Sequence, residues 1–296
     1  MPLSLLLAFL VCLAAAGPAW AGGEPAKSVG RGKYLFAAGG CQACHTDVKG
    51  KGKPLAGGRK LKTPFGTFAT PNITPDPVHG IGKWTDADFI RAIRQGAGPD
   101  GRPYYPAFPY PSYTRMTDRD ILDLKAYLFS RPPVARADEP HDLNPPFAWR
   151  FLAGIWKTLF FKPGAFQPDP AKSPEWNRGA YLVTALGHCG ECHTPRNFLG
   201  APKADMALAG STQGPAGGIV PNITPDKETG IGKWPDSDIL SLLKSGMLPD
   251  GDFAGGAMGE VIDDNTGRLT DADREAIILY LKSVPAVSHR VEKKAK

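Results

Sequence analysis

The chain has 296 residues, 42% of them hydrophobic and 22% charged, with a formal net charge of +6. That length suffices for two compact domains. The charge surplus is too small to indicate a nucleic-acid surface, and no run of about 18 apolar residues after residue 21 suggests a second membrane span.

Residues 2–21 carry no charged side chain. An apolar run from Leu3 to Leu13 ends in Ala19-Trp20-Ala21, the pattern of a secretory signal peptide. An uncleaved anchor is the alternative. Cys12 follows Val11, not a small residue, which argues against a lipoprotein anchor. The mature chain is expected to begin near Gly22.

Two pentapeptides organise the rest of the chain. Cys41-Gln42-Ala43-Cys44-His45 and Cys189-Gly190-Glu191-Cys192-His193 both read C-x-x-C-H, the attachment pattern of c-type haem. The two thiols add to the haem vinyl groups, and the histidine supplies an axial nitrogen to the iron. A zinc site would set its two C-x-x-C pairs about 15–20 residues apart, whereas Cys44 and Cys189 are far apart in sequence. A thioredoxin-type pair needs no trailing histidine, and a disulfide framework does not account for two matching pentapeptides. Two covalent haems are therefore expected, bound through Cys41, Cys44, Cys189 and Cys192, with His45 and His193 as iron ligands. Such haem is attached outside the bacterial cytoplasm, so the leader and the motifs agree on the periplasm. Four propionates would leave a mildly basic surface, suited to an acidic patch on a redox partner.

The chain also repeats itself. Pro71-Asn72-Ile73-Thr74-Pro75-Asp76 recurs as Pro221-Asn222-Ile223-Thr224-Pro225-Asp226, and Gly80-Ile81-Gly82-Lys83-Trp84 as Gly230-Ile231-Gly232-Lys233-Trp234, both at an offset of 150 (221 − 71). Pro99-Asp100-Gly101 recurs as Pro249-Asp250-Gly251. Arg31-Gly32-Lys33-Tyr34-Leu35 matches Arg178-Gly179-Ala180-Tyr181-Leu182, and Thr117-Asp118-Arg119-Asp120 matches Thr270-Asp271-Ala272-Asp273.

Each repeat reads as helices separated by long turns. The first helix carries Tyr34 and Leu35, or Tyr181 and Leu182, and ends near the cysteines. A middle helix places Phe89, Ile90 and Ile93 on one face and can end at Gly96; its counterpart holds Ile239, Leu240, Leu243 and Gly246. The last helix opens with T-x-x-D, like a capping box, and carries Ile121, Leu124 and Leu128, or Ile277, Ile278 and Leu281. The fold expected is all-α: two tandem class I cytochrome c domains, loop-rich, over residues 22–130 and 175–285. Asn72 and Asn222 fit the N-glycosylation pattern, but the repeated block reads better as a turn near the haem edge, with Asn and Asp bonding their own backbone.

Residues 131–174 form a linker rich in Pro and aromatics. Its stretch from Phe147 to Phe161 reads as a strap burying its aromatics between the domains; the alternative is a surface for a partner subunit or the membrane interface. Residues 286–296 read as a basic, solvated tail.

A methionine opposite the histidine raises the potential of a haem. Met258, in the Gly-rich loop Gly255-Gly256-Ala257-Met258, is the expected ligand of the second site, with Met206 and Met247 as rivals. At the matching place in the first repeat stands Phe108, which cannot ligate iron. Met116 or His79 could bind instead, or the position is open under Phe108. Met116 also fits an apolar staple residue at a helix start.

Several stretches together resemble the cytochrome c subunits of membrane-associated periplasmic alcohol, gluconate and aldehyde dehydrogenases. They are P-N-I-T-P-D, G-I-G-K-W-T-D-A-D-F, the run from Phe160 to Leu182, and G-H-C-G-E-C-H-T-P-R-N. The resemblance implies a non-catalytic role. Electrons would pass from a dehydrogenase's catalytic subunit through the haems to a quinone, an oxidase or another cytochrome, with possible peripheral membrane contact and no nucleic acid. Two departures stand out: such subunits usually carry three haems and a C-terminal membrane-binding segment, and their P-A-M-P-Y is Pro106-Ala107-Phe108-Pro109-Tyr110 here. The alternatives are a dihaem enzyme, a peroxidase or a small-molecule oxidase working at the first haem, and a freely diffusing carrier. His188 reads as a loop residue, not a catalyst.

Overall fold

The computed structural model describes residues 24–292. The expected leader with Cys12, and Lys293, Lys294 and Lys296, lie outside the described residues.

Helix α1 (Glu24–Ala38) leads into a short turn, α2 (Cys41–His45). Helix α3 (Asp86–Gln95) starts on a full capping box between Thr85 and Asp88 and stops at Gly96, whose left-handed φ of 58° suits glycine. Phe89 and Ile93 face the core, as their spacing predicts. A single turn, α4 (Tyr110–Tyr113), precedes α5 (Asp118–Phe129). Helices α1 and α5 cross so closely that a Cβ on Gly32 would lie 1.9 Å from the Asp123 carbonyl oxygen. Arg31 and Ser28 both bond the Asp123 carboxylate beside that crossing.

The all-α expectation needs one correction. Strands β1 (Lys60–Thr63), β2 (Gly66–Ala69) and β3 (Asp142–Leu143) form a small antiparallel sheet in the order β1-β2-β3. The Thr63-Pro64-Phe65-Gly66 stretch turns tightly: the Thr63 hydroxyl accepts from the Phe65 amide and donates to the Gly66 carbonyl. The alternation Leu61-Lys62-Thr63 was too short to stand out between Pro- and Gly-rich neighbours. The third strand comes from 142–143, distant in sequence.

The linker stretch corrects a second expectation. Helix α6 (Phe151–Phe160) buries only Ala153. Phe151, Ile155 and Leu159, spaced four apart, are 63%, 50% and 64% exposed, with Trp149 beside them. The strap therefore hides only part of its aromatics: Phe147 packs on Phe65, Phe161 on Tyr110, and Trp156 bonds the Leu199 carbonyl, while an apolar stripe faces outward. The polar groups point inward, where the Arg150 guanidinium sits over Tyr105 and the Lys157 ammonium over Tyr110.

In the second half, α7 (Pro174–Tyr181) continues into a π-helical turn (Leu182–Leu186), then α8 (Gly190–His193). The π turn has a sequence cause. Arg178 follows Arg31 by 147 residues, but Cys189 follows Cys41 by 148, so this half holds one extra residue. A bond from the Gly187 amide to the Leu182 carbonyl, 2.7 Å, absorbs it within the turn. Helices α9 (Asp236–Ser245), α10 (Gly256–Asp264) and α11 (Asp271–Ser283) complete this half. Gly179 meets the Ala276 carbonyl, again at 1.9 Å from a would-be Cβ, as Gly32 meets Asp123.

The halves are joined by matched tyrosines. Thr117 and Thr270 cap α5 and α11 by accepting from the amides of Asp120 and Asp273. The returning half of each box is made by a tyrosine from the other repeat. The Tyr181 hydroxyl accepts from the Thr117 amide (3.2 Å) and donates to Asp120 (2.6 Å); the Tyr34 hydroxyl accepts from the Thr270 amide (3.1 Å) and donates to Asp273 (2.5 Å). One buried apolar cluster runs through both, including Leu35, Phe89, Ile121, Leu182, Ile239 and Ile277.

The segment after Pro285 is not free at its start. The Val287 carbonyl accepts from Asn222 and its amide donates to Thr224, while the His289 ring contacts the Ala209 carbonyl. Val134 makes the same pair of bonds to Asn72 and Thr74 in the first half.

Candidate functional site

Gly40, at a left-handed φ of 62°, turns the chain from α1 into Cys41. His188, at φ 40°, does so before Cys189. The cysteine pairs lie on single helical turns, α2 and α8, and none of the four is in a disulfide. Burial pushes the Cys41 and Cys189 thiols up to about 12 each.

The two histidines are held alike. His45 Nδ1 lies 2.8 Å from the Pro71 carbonyl oxygen, and His193 Nδ1 lies 2.8 Å from that of Pro221. A carbonyl only accepts, so Nδ1 carries the proton, and in the neutral ring Nε2 keeps its lone pair. Burial lowers both imidazole pKa values, partly opposed by these bonds, and so favours the neutral ring. The acceptor is the first residue of the repeated P-N-I-T-P-D block. Within it, the Asn72 side chain accepts from the Thr74 amide (2.9 Å) and hydroxyl (2.7 Å), and Asp76 from the amides of Val78 and His79. Asn222 and Asp226 do likewise. The turn expected from these residues is present, and both asparagines are buried, which removes them as glycan acceptors.

These residues fit a covalently anchored haem: paired thiols one turn apart, and an adjoining imidazole whose inner nitrogen is fixed. Among the described residues no three His, Cys, Asp or Glu gather as a metal-ion site.

Met258 lies on the first turn of α10, half-buried, in a helix and not in the loop its glycines suggested. Met247 is exposed, and Met206 sits in a short 3-10 turn. Phe108 is half-buried against the core, 5.6 Å between ring centres from Tyr113. Met116 is 1% exposed within that core, at the staple position before Thr117. Arg94 bonds its carbonyl at 2.8 Å. His79 is exposed on the Asp76 turn.

Several partners of the motifs were not foreseen. Arg59 bonds the Ala43 carbonyl (2.6 Å) and Glu260 (2.5 Å), joining α2 to the helix that carries Met258. Ser112 donates to Glu191 (2.7 Å), inside the second pentapeptide. Glu191 also pairs with Arg196 at 2.5 Å. Asn265 donates to the Ala38 carbonyl at 2.9 Å. The sequence carries no signal for these pairs, because each joins segments distant along the chain or unmatched in the repeat.

Comparison with known proteins gives the site its context. Residues 29–131 match the family model for cytochrome c. A diheme cytochrome c-type protein of Cereibacter sphaeroides is 50% identical over 260 residues, which cover 87% of this chain and 86% of the relative. The cytochrome c subunit of alcohol dehydrogenase (quinone) from Gluconacetobacter polyoxogenes is 43% identical over 267 residues, 88% of this chain and 56% of the relative. The fructose dehydrogenase cytochrome subunit of Gluconobacter japonicus is 44% identical over 263 residues, 88% and 53%. The chain thus spans about half the length of the dehydrogenase subunits it matches. Half-identity over most of both chains, with two equivalent C-x-x-C-H turns in place, shows that this protein belongs to the cytochrome c family, among the diheme c-type cytochromes.

Proposed function

We propose that this protein is a periplasmic electron carrier with two covalently bound haems, taking electrons from the catalytic subunit of a dehydrogenase and passing them towards a quinone, an oxidase or another cytochrome. The observation that carries this is the matched 2.8 Å bond from His45 to Pro71 and from His193 to Pro221. It orients both imidazoles as iron ligands need. The dehydrogenase subunits among the relatives support the choice of donor.

The bound haem supplies a one-electron couple between ferric and ferrous iron. The chain does the rest. Cys41 and Cys44, and Cys189 and Cys192, would anchor the porphyrins, and His45 and His193 would each ligate iron through Nε2. Met258 ligates the second iron through sulfur, which raises its potential. Phe108 offers no donor, Met116 is enclosed in the core and His79 faces solvent, so at the first site none of the three would serve as a second protein ligand and a bound haem would be open to small ligands. The domains are two tandem class I cytochrome c units, residues 22–130 and 175–285, joined by residues 131–174. The parallel close helix crossings at Gly32 and Gly179, each within one of these ranges, support that division. A leader over residues 1–21 directs export. The outward stripe of α6 supports a peripheral contact with the membrane.

The test is a visible spectrum of the purified, reduced protein before and after carbon monoxide. A spectral change in about half the haem is expected, since carbon monoxide needs a free or weakly held position. No change would mean that both irons have two protein ligands, and the open first site would be abandoned. A haem content other than two per chain would overturn the dihaem reading itself.

A further inference from the structure

Between the two pentapeptides stands one buried side chain, Tyr113, at the end of α4. Its hydroxyl donates to the Gly39 carbonyl at 2.6 Å, two residues before Cys41. Its ring meets the His188 ring edge-on, 5.3 Å between centres, one residue before Cys189. On a third side it meets Phe108 at 5.6 Å, at the place where the second repeat has Met258. Tyr113 is thus in contact with both haem-bearing segments at once.

The surroundings hold these segments together. Ser112, its neighbour, bonds Glu191 within the second pentapeptide, and Asn265 from the second half bonds the carbonyl of Ala38, beside Gly39. Gly39 is closely surrounded: a Cβ there would lie 3.2 Å from the Leu35 carbonyl oxygen, tighter than an ordinary contact, and in ordinary contact with Cys41 Sγ and the Tyr113 oxygen. Packed, bonded atoms therefore run from Cys41 through Gly39, Tyr113 and His188 to Cys189. Packed aromatic edges of this kind prefer such edge-to-face geometry.

We propose that Tyr113 and His188 form the contact through which the two haem sites exchange electrons, with Tyr113 as the residue that positions it. The step moves one electron: one site is oxidised, the other reduced, with no bond broken and no proton transferred. The rings serve as a medium and are not themselves oxidised. This rests on the dihaem carrier reading above.

The experiment uses the intact holoprotein and the variants Tyr113→Leu, His188→Leu and Tyr113→Phe. A photoexcited ruthenium complex injects one electron, and transient absorption follows its redistribution between the two haems. Haem content, both midpoint potentials and the melting temperature are measured alongside. Tyr113→Leu and His188→Leu are expected to slow redistribution severalfold at unchanged potentials. Tyr113→Phe, which keeps the ring and loses only the bond to Gly39, is expected to slow it less. A wild-type rate in Tyr113→Leu or His188→Leu with two haems bound overturns the proposal. So does a rate change fully accounted for by shifted potentials. If Tyr113→Leu loses haem, His188→Leu decides by the same readouts. One haem per wild-type chain would instead remove the reading on which the proposal stands.

Discussion

Tyr181 donates its phenolic hydrogen to Asp120 while accepting from the Thr117 amide, so a residue of the second half completes a helix cap in the first. Tyr34 does the same for Thr270 and Asp273. Burial and the carboxylate bond both hold the Tyr34 and Tyr181 hydroxyls in the protonated form. Removing either hydroxyl, as Tyr34→Phe or Tyr181→Phe, should lower unfolding free energy by about 1.5–3 kcal/mol, the usual worth of a hydrogen bond to a charged group. Thermal and denaturant unfolding of the holoprotein read this out. An unchanged midpoint in both variants would mean the caps are as stable without the tyrosines.

The helix crossings tolerate no added methyl. Gly32→Ala or Gly179→Ala sets a Cβ 1.9 Å from a backbone carbonyl oxygen, which cannot swing away. The helices must separate, and a loss of about 1–3 kcal/mol or more is expected from overpacking. Gly30→Ala, with open space around it, serves as the control in the same helix.

Acid should loosen these crossings. The Arg31 bond, with Ser28, holds the Asp123 carboxyl below its usual range. At Asp273 burial pushes upward, but the bonds from Arg178 and Tyr34 outweigh it and the net shift is downward. A carboxyl depressed in the folded state stabilises above its unfolded pKa of about 3.9 and loses that contribution as pH falls through the folded value. Unfolding free energy should therefore decline below about pH 4. Asp123→Asn should be less stable at neutral pH and show a shallower decline in acid, measured by urea titrations across that range.

Ligand exchange separates the sites. Met258→Ala should lower the potential of one haem and extend carbon monoxide binding from about half to nearly all of the haem. Phe108→Met should act oppositely and suppress it. Redox titration and the carbon monoxide difference spectrum check both. A Met258→Ala protein with an unchanged spectrum would direct attention to Met206.

The outward stripe of α6 can be altered without touching the core. Ile155→Glu and Leu159→Glu are expected to change stability by no more than about 0.5 kcal/mol, as for other surface positions. They should weaken co-sedimentation with anionic liposomes. Equal sedimentation of wild type and variants would assign the stripe another occupant.

The motif chemistry was legible because it is local. C-x-x-C-H needs neighbours on one helical turn, the block from Pro71 to Asp76 bonds to itself, and Thr117 and Thr270 cap helices within three residues. The small sheet was hidden, because its strands are two to four residues long and β3 comes from a segment that reads as linker. Met258 was expected in a loop because of its glycines, yet Gly256 and Gly259 are accommodated within α10. Only the fold drew attention to the extra residue of the second half, absorbed as a π turn.

By itself, then, the sequence determined what is bonded within a few residues: the haem-attachment turns, the helix caps, the repeat and the missing methionine at Phe108. The tertiary structure alone decided what meets across long separations: the Pro71 and Pro221 carbonyls on the histidines, Tyr34 and Tyr181 in each other's caps, Tyr113 between Gly39 and His188, and α6 turned outward. The reason is physical. Local pairs arise from backbone geometry at fixed spacing, whereas distant pairs arise from how two halves bury one shared core, which no spacing along the chain records.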